Sequence, residues 1–199
     1  MESMVQRVVR QARLANLTNE ITLATNASQL DIITNQLGES VSVVTEPERR
    51  DTFPAIALAA SYLSLEKKCS DDEVVVIMPC DPYTELGYFE TIGNMVECVK
   101  NNVADLVLMG IKPTCPSEKY GYVVPKVSEV SDGFKGLVAE PVEVQMFSRF
   151  TDKPTVEKAK ELLEQNAYWN GGVFAFKLGY MMEIVRKYMP IINDNDDDN

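Results

Sequence analysis

The feature that most limits the fold of this chain is an alternation of short β-branched runs with stretches of helical periodicity. Strands are predicted at residues 21–25 and 41–45, on either side of a helix at 29–37, and an alanine-rich helix is predicted with Thr52 as its N-cap. The run at 72–78 is apolar without alternation, which is typical of a parallel strand covered by helices on both faces. This βαβ rhythm predicts an α/β fold built on a mostly parallel sheet with flanking helices.

The second half of the chain has a different pattern. Shorter alternating runs at 122–127 and 136–150 predict antiparallel hairpins, which would form a lid or substrate subregion. The other elements are predicted as a helix with Phe89, Ile92, Val96 and Val99 on one face, a strand at 104–111, a helix at 155–167 with Val156, Ala159 and Leu163 facing inward, a strand at 172–177 and a last helix from Leu178 to about Met189. Because ligands bind outside the carboxyl ends of strands in open α/β sheets, motifs that follow the strands are expected to share one cleft.

The chain of 199 residues is strongly acidic. Its formal net charge of −11 argues against a nucleic-acid groove, although a local cationic pocket could hold one small phosphate ligand. The apolar fraction of 45% is enough for the core of a single domain, and the longest apolar runs are too short to span a bilayer. The first residues form a charged amphipathic stretch that does not resemble a signal peptide, so we expect a cytoplasmic protein with no membrane partner.

The residue types that are absent limit the chemistry. The sequence has no histidine, and its four cysteines show no C-x-x-C spacing, so we interpret the cysteines as reduced thiols. Imidazole-based catalysis is therefore excluded, and an enzyme of this composition would depend on carboxylates, lysines, backbone dipoles or a metal. These groups suit phosphoryl-type transfer, in which positioning and charge neutralisation do most of the catalysis.

Five motifs follow one another along the predicted elements. They are E-P-E-R-R-D-T-F-P-A at 46–55, M-P-C-D at 78–81, G-I-K-P-T at 110–114 with Y-G-Y at 120–122, F-T-D-K-P at 150–154 and W-N-G-G at 169–172. In kind and order they resemble the motifs of sugar-phosphate nucleotidyltransferases, most closely the bacterial mannose-1-phosphate guanylyltransferases. The resemblance implies a Rossmann-like, glycosyltransferase-A-like domain with a mixed, mostly parallel sheet and a small antiparallel sugar-binding subregion.

The same resemblance implies an activity: transfer of a guanylyl group from GTP to mannose 1-phosphate, which gives GDP-mannose and pyrophosphate without a covalent enzyme intermediate. It implies catalytic roles for Asp81 and Lys153, with Asp81 holding Mg²⁺ and Lys153 holding the sugar phosphate. Gly121, Asp152 and Asn170 correspond to residues that contact the sugar. The sequence departs from the family at Asp152, where glutamate is usual, and a shorter acid reaches less far toward the ring.

The nucleotide site is expected to include Glu46, Arg50, Thr52 and Pro54. An ionised carboxylate accepts two hydrogen bonds from the N1–H and N2 amino groups of guanine, whereas uracil or thymine would present an acceptor that it repels. Backbone N–H groups at the start of the Thr52 helix would add donors toward the nucleotide. Asp51 replaces the usual asparagine and removes one donor from this motif.

Each of these positions also has a purely structural interpretation. Glu46 can be a loop carboxylate paired with a neighbouring arginine, and Asp81 can be an Asx turn or the N-cap of a helix at Thr84. Asp152 and Lys153 can form a surface ion pair before a helix. Gly121 and Asn170 can belong to ordinary bends next to strands.

The glycine-rich arginine loop that cradles the triphosphate in this family has no counterpart in the sequence. We therefore expect residues 1–192 to form an incomplete nucleotidyltransferase domain, with a nucleotide part at about 1–115, a sugar-phosphate part at about 116–192 and a disordered acidic tail at 193–199. A chain of this kind should transfer nucleotides poorly. Alternatives are a non-catalytic nucleotide-sugar-binding or regulatory module, a transferase for another sugar 1-phosphate, and an unrelated α/β domain; a homodimer is also possible.

Overall fold

The structure is a computed structural model that describes residues 2–18, 20–48, 52–130 and 144–189. Its helices are α1 (Met4–Leu14), α2 (Leu30–Leu37), α3 (Thr52–Leu65), α4 (Leu86–Lys100), α5 (Val156–Glu164) and α6 (Leu178–Tyr188). Its strands are β1 (Thr22–Asn26), β2 (Ser42–Glu46), β3 (Val74–Ile77), β4 (Leu106–Ile111), β5 (Tyr122–Val130), β6 (Gln145–Thr151) and β7 (Tyr168–Lys177). None of the helices in these ranges has the length and apolar character needed to cross a membrane.

The described strands form two sheets. β1 and β2 make a parallel pair, and the other five strands make a sheet of order β3-β7-β5-β6 in which β4 also pairs with β7. β5 is antiparallel to both β6 and β7, which confirms the predicted antiparallel subregion. Within the predicted run at 136–150 the structure has β6 at Gln145–Thr151, and residues 136–143 lie outside the described residues.

Several local predictions need correction. Met95 and Cys98 are buried on α4, whereas Val96 is only partly buried. On α5, Leu162 is fully buried beside Ala159, and the predicted Leu163 packs against the same cluster while partly buried. The boundaries of α4 matter more for the site. This helix begins at Leu86 with Glu85 as its N-cap, so the alternative that made Asp81 the cap of a helix at Thr84 is wrong.

The chain divides into two compact units, and the first comprises Met1–Leu17 and Val76–Ala175. In this unit α1 contacts α4 and buries Val8, Val9 and Ala12, while a capping box between Ser3 and Gln6 satisfies its first turn. A second cluster of buried side chains joins β5, α5 and the start of β7: Tyr122, Val124, Ala159, Leu162 and Ala167. Each large side chain buried in this way contributes about 1.5–3 kcal/mol, so the unit has its own core.

The second unit comprises Thr18–Val75 and Phe176–Asn199. Its central element is α3, which buries Ile56, Ala57, Ala59 and Ala60 and contacts β1, β2 and α6. The alanines allow neighbouring backbones to come close. Gly179 of α6 shows a similar close approach, because its N–H donates to the Asp71 carbonyl at 2.9 Å and a Cβ there would lie 2.9 Å from the Asp71 Cβ. The predicted division near residue 115 separates a nucleotide-binding part from a sugar-phosphate-binding part, and it stays a prediction.

Candidate functional site

Four of the predicted site residues meet in the first unit, at the ends of β5, β6 and β7. We call Gly121, Asp152, Lys153 and Asn170 the sugar-phosphate cluster. Tyr122, the first residue of β5, pairs with Thr151 of β6 on one side and with Trp169 of β7 on the other. This register brings the residues next to each pair together, and the Asn170 N–H donates to the Gly121 carbonyl at 2.7 Å.

Gly121 lies against the side chains of its neighbours. A Cβ at this position would lie 2.6 Å from Cζ of Phe150 and 3.6 Å from Oδ1 of Asp152. The Phe150 ring therefore fills the space that the missing side chain leaves, which the sequence did not indicate. A close approach of a hexose to the Gly121 backbone stays a prediction, and it would have to come from a direction that this ring leaves open.

Lys153 has an unusual backbone conformation, with φ at +37°. The other described non-glycine residues with positive φ are Asn16, Lys68, Asn102 and Asn166, and each of them lies just after a helix, where such a turn is common. Lys153 lies instead between β6 and α5. A strained φ outside a helix end is typical of functional sites, where the surrounding structure maintains it at a cost of about 1–3 kcal/mol.

The segment around Lys153 is fixed from both sides. Pro154 is buried directly after it, and the Val156 N–H at the start of α5 donates to the Glu118 carboxylate at 3.2 Å. Asp152 and Lys153, both within the described ranges, are exposed and form no ion pair with each other, so the surface ion-pair alternative is wrong. The carboxylate and the ammonium group are thus available to a ligand.

Asn170 is held by its own side chain. Its Oδ1 accepts a hydrogen bond from the Gly172 N–H at 3.1 Å, and Gly172 has the positive φ of +71° that this turn needs. The amide oxygen is therefore engaged, and the two Nδ2 donors are the groups that a ligand can use. A Cβ on Gly172 would lie 3.8 Å from Cγ of Pro79, so this turn lies beside the segment that carries Asp81.

Asp81 lies in an irregular segment between β3 and α4 and is exposed. Burial, together with the negative charge of Asp81, raises the pKa of the Tyr88 phenol, whose Oη is buried and has no partner among the described residues. The described residues contain no group of three or more acidic, cysteine or histidine side chains that could hold a metal. A single exposed carboxylate still fits Mg²⁺, because this ion often takes one or two carboxylates and completes its shell with phosphate oxygens and water.

The predicted nucleotide residues belong to the second unit. Glu46 is the last residue of β2 and pairs in register with Asn26 of β1. Thr52 is the first residue of α3, one position inside the helix that it was predicted to cap, and Pro54 follows in the same turn. Arg50 lies outside the described residues. The expectation that these residues share one cleft with the sugar-phosphate cluster stays a prediction.

Two aromatic residues beside the cluster had no assigned role in the sequence. The rings of Tyr120 and Trp169 lie with their centroids 4.7 Å apart, and the Trp169 Nε1 is buried without a hydrogen-bond partner in the described part of the chain. Both residues flank members of the cluster in sequence, at Gly121 and Asn170. Their positions in the Y-G-Y and W-N-G-G motifs were the only feature of the sequence that could have indicated a role at the site.

The chain matches the Nucleotidyl transferase family over residues 1–196. It is 33% identical over 162 residues to the mannose-1-phosphate guanylyltransferase of Escherichia coli K12, which covers 80% of this chain and 32% of that protein. It is 32% identical over 161 residues to the xanthan biosynthesis protein XanB of Xanthomonas campestris pv. campestris, which covers 80% of this chain and 31% of XanB. The chain thus spans about a third of the length of these curated relatives.

Solved structures give the same result for the fold. A mannose-1-phosphate geranyltransferase from Thermus thermophilus superposes with a TM-score of 0.75 at 25% identity, over 95% of this chain and 51% of that one. A mannose-6-phosphate isomerase from Helicobacter pylori superposes with a TM-score of 0.71 at 20% identity, over 95% of this chain and 67% of that one, which bears on the fold alone. The predicted Rossmann-like α/β fold is confirmed. Since the family match extends over nearly the whole chain and the fold agrees with it, the chain belongs to the nucleotidyl transferase family.

Proposed function

We propose that the protein transfers a guanylyl group from GTP to mannose 1-phosphate and so forms GDP-mannose and pyrophosphate. The observation that carries the proposal is the convergence of Gly121, Asp152, Lys153 and Asn170 at the ends of three neighbouring strands. A lysine, a carboxylate and free amide donors in one place suit a phosphorylated sugar. The similarity to a mannose-1-phosphate guanylyltransferase supports this choice of substrates.

The reaction needs little covalent chemistry from the protein. A phosphate oxygen of mannose 1-phosphate forms a bond to the α-phosphorus of GTP, while the bond from that phosphorus to the bridging oxygen breaks and pyrophosphate leaves with the electron pair. The attacking phosphate is already ionised near neutral pH, so no general base is needed, in keeping with a sequence that has no histidine. The protein contributes positioning and charge neutralisation.

On the sugar side, the Lys153 ammonium group pairs with the phosphate of mannose 1-phosphate and offsets its charge. Its positive φ sets the direction in which the side chain leaves the backbone. Asp152 accepts hydrogen bonds from sugar hydroxyls. Asn170 donates through Nδ2, because its Oδ1 is already occupied by the Gly172 N–H.

On the nucleotide side, Glu46 accepts the two guanine donors, Arg50 pairs with phosphate, and Thr52 and Pro54 begin the helix that faces the nucleotide. Asp81 is the residue that would hold Mg²⁺, which supplies charge neutralisation at the triphosphate when it is bound. The exposed position of Asp81 in the segment between β3 and α4 leaves its carboxylate accessible.

The test combines binding and turnover. Isothermal titration of the protein with each of GTP, ATP, UTP and dTTP in the presence of Mg²⁺, and separately with mannose 1-phosphate, should show preference for GTP and a distinct site for the sugar phosphate. Incubation with both substrates should release GDP-mannose and pyrophosphate in equal amounts but slowly, because the sequence has no counterpart of the loop that cradles the triphosphate. Binding of both ligands without any product would favour a nucleotide-sugar-binding module, and the absence of binding to either substrate would contradict the proposal.

A further inference from the structure

Helix α1 reaches the segment that follows Asp81 through two polar side chains. The Arg7 guanidinium donates from Nη2 to the Pro82 carbonyl at 3.1 Å, and Gln11 donates from Nε2 to the Thr84 carbonyl at 3.1 Å. The Arg7 guanidinium also lies over the Tyr83 ring, 4.5 Å from its centroid. Three consecutive residues after Asp81 are therefore contacted by one helix.

The spacing of these contacts follows from regular geometry. Side chains four residues apart on a helix lie about 5–6 Å apart. Two residues of an extended backbone span about 6.6 Å, so carbonyls at alternate positions are spaced to meet such a pair. Arg7 and Gln11 are four apart, and their acceptors Pro82 and Thr84 are two apart. The two side chains of α1 thus contact carbonyls at alternate positions of this segment.

The segment that Arg7 and Gln11 contact is irregular and partly exposed. Residues 81–85 lie in neither a helix nor a strand. Tyr83 keeps 82% of its surface exposed, so its ring gains little support from a hydrophobic core and rests on Arg7. Helix α1 itself is anchored, because Val8, Val9 and Ala12 are buried where it contacts α4.

The polar groups of Arg7 and Gln11 are partly desolvated. Arg7 Nε and Gln11 Oε1 are buried and have no hydrogen-bond partner among the described residues, so each side chain loses hydration where it contacts the segment. A solvated surface residue would not normally accept that loss. Arg7 donates to a carbonyl, so it acts on Asp81 through the backbone that begins at Pro82 and not by pairing with the carboxylate.

We propose that Arg7 and Gln11 are positioning residues that hold the segment after Asp81, so that its carboxylate is fixed where the metal–nucleotide complex binds. This inference rests on the proposed function, since it concerns the role of Asp81 toward Mg²⁺. It adds to that function a specific requirement for α1. Without the two contacts, the carboxylate would remain in the chain but would sample many positions, and the ion would lose a preorganised ligand.

The test uses Arg7→Met and Gln11→Leu, which remove the donors and keep side chains of similar length that favour a helix. Arg10→Met is the matched control, because Arg10 is exposed on the same helix and pairs with Glu2 instead. Arg7→Lys keeps the charge and part of the donor capacity, and it serves as a milder variant if Arg7→Met does not fold. Thermal unfolding confirms the fold of each variant before the measurements.

The first measurement is hydrogen exchange of peptides that contain residues 81–85, with β7 peptides as an internal reference. We expect exchange in residues 81–85 to become about tenfold faster in Arg7→Met and unchanged in Arg10→Met. The second measurement is the Mn²⁺ concentration at which GTP binding is half-maximal. It should rise about tenfold in Arg7→Met and less in Arg7→Lys, while the affinity for mannose 1-phosphate stays within about twofold.

Unchanged exchange in both Arg7→Met and Gln11→Leu would overturn the inference. Faster exchange with an unchanged Mn²⁺ requirement would overturn it as well, since the segment would then be held for a reason unrelated to the metal. If the unmodified protein binds no GTP with Mn²⁺, the proposed function fails and the metal role of Asp81 fails with it. That result differs from the others because it is seen without any substitution.

Discussion

The residues proposed to bind the sugar phosphate and those proposed to bind the nucleotide are held by two different kinds of local structure. In the sugar-phosphate cluster, a single register across β5, β6 and β7 fixes neighbours on three strands, and the Asn170 N–H bonds to the Gly121 carbonyl. Glu46, by contrast, ends a two-stranded sheet, and Thr52 begins the helix that follows the next loop. One group is assembled by cross-strand pairing and the other by the ends of consecutive elements.

Preorganisation has a different source in each region. Cross-strand hydrogen bonds and a buried Pro154 hold the backbone next to Asp152 and Lys153 even where φ is unfavourable. In the nucleotide region, Glu46 pairs with Asn26 at the end of a two-stranded sheet, and the start of α3 supplies helix N–H groups. We therefore expect the two ligands to respond separately to substitution in the two regions.

The largest effect is expected for Lys153→Met. Loss of a charge-assisted bond to phosphate should weaken mannose 1-phosphate binding by about a hundredfold, while GTP binding stays the same. Lys160→Met removes the same charge from an exposed position of α5 and should leave both affinities unchanged. Isothermal titration with each ligand measures the effect, and an equal loss of GTP affinity in Lys153→Met would contradict the separation of the two regions.

The converse substitution is Glu46→Gln, with a smaller expected effect. The amide offers one acceptor and one donor group in place of two acceptors, so GTP affinity should fall by about tenfold and discrimination against UTP should narrow. Mannose 1-phosphate binding should not change. Isothermal titration with GTP and with UTP measures both effects, and Glu39→Gln, which changes an exposed carboxylate after α2, provides the control. Unaltered preference for GTP in Glu46→Gln would show that another group reads the base.

Sequence reasoning predicted the fold class and most elements, because the apolar run of β3 and the amphipathic helices have clear periodicity. It also predicted one cleft shared by Glu46, Asp81, Gly121, Lys153 and Asn170. The structure places Gly121, Lys153 and Asn170 at neighbouring strand ends, and the single cleft stays a prediction. The errors of sequence reasoning lie at residues whose orientation depends on tertiary neighbours. On α4, Met95 is buried more deeply than Val96, because the direction from which other elements pack decides which side of the helix is covered.

The reason for Gly121 could not be predicted either. A glycine beside a strand indicates a close approach, but only the structure shows that the approaching group is the Phe150 ring. The contacts of Arg7 and Gln11 are another example. Their i, i+4 spacing is visible in the sequence, yet their acceptors are backbone carbonyls more than seventy residues away, which no side-chain pattern reveals.

A third prediction tests the packing of the sugar-phosphate cluster. Gly121→Ala should reduce the free energy of unfolding by about 1 kcal/mol, because the new methyl group displaces the Phe150 ring, which is 48% exposed and can rotate outward. The double variant Gly121→Ala with Phe150→Leu should recover part of that loss, since the smaller side chain leaves room. Urea unfolding of the two single variants and the double variant gives the coupling energy, and strict additivity would contradict the contact.

The smallest effect concerns backbone strain, which occurs in both regions but for different reasons. Lys153 lies in the sugar-phosphate cluster with φ at +37°, and Lys68 lies just after α3 with φ at +53°. Glycine adopts a positive φ without strain, which stabilises the folded protein. It also loses more backbone entropy on folding, which offsets part of that gain, so we expect each lysine-to-glycine substitution to stabilise the protein by only about 0.5 kcal/mol. Thermal or urea unfolding measures this gain.

The two substitutions should differ in function. Lys68→Gly should leave the affinities for GTP and mannose 1-phosphate unchanged, because the positive φ of Lys68 belongs to the turn that ends a helix. Lys153→Gly should gain stability and still lose mannose 1-phosphate binding as fully as Lys153→Met, since the same position carries both the strain and the charge. If Lys153→Gly instead lowers the free energy of unfolding, the positive φ of Lys153 does not cost the folded protein any stability. The conformation of Lys153 would then be explained by the turn before Pro154 and not by ligand binding.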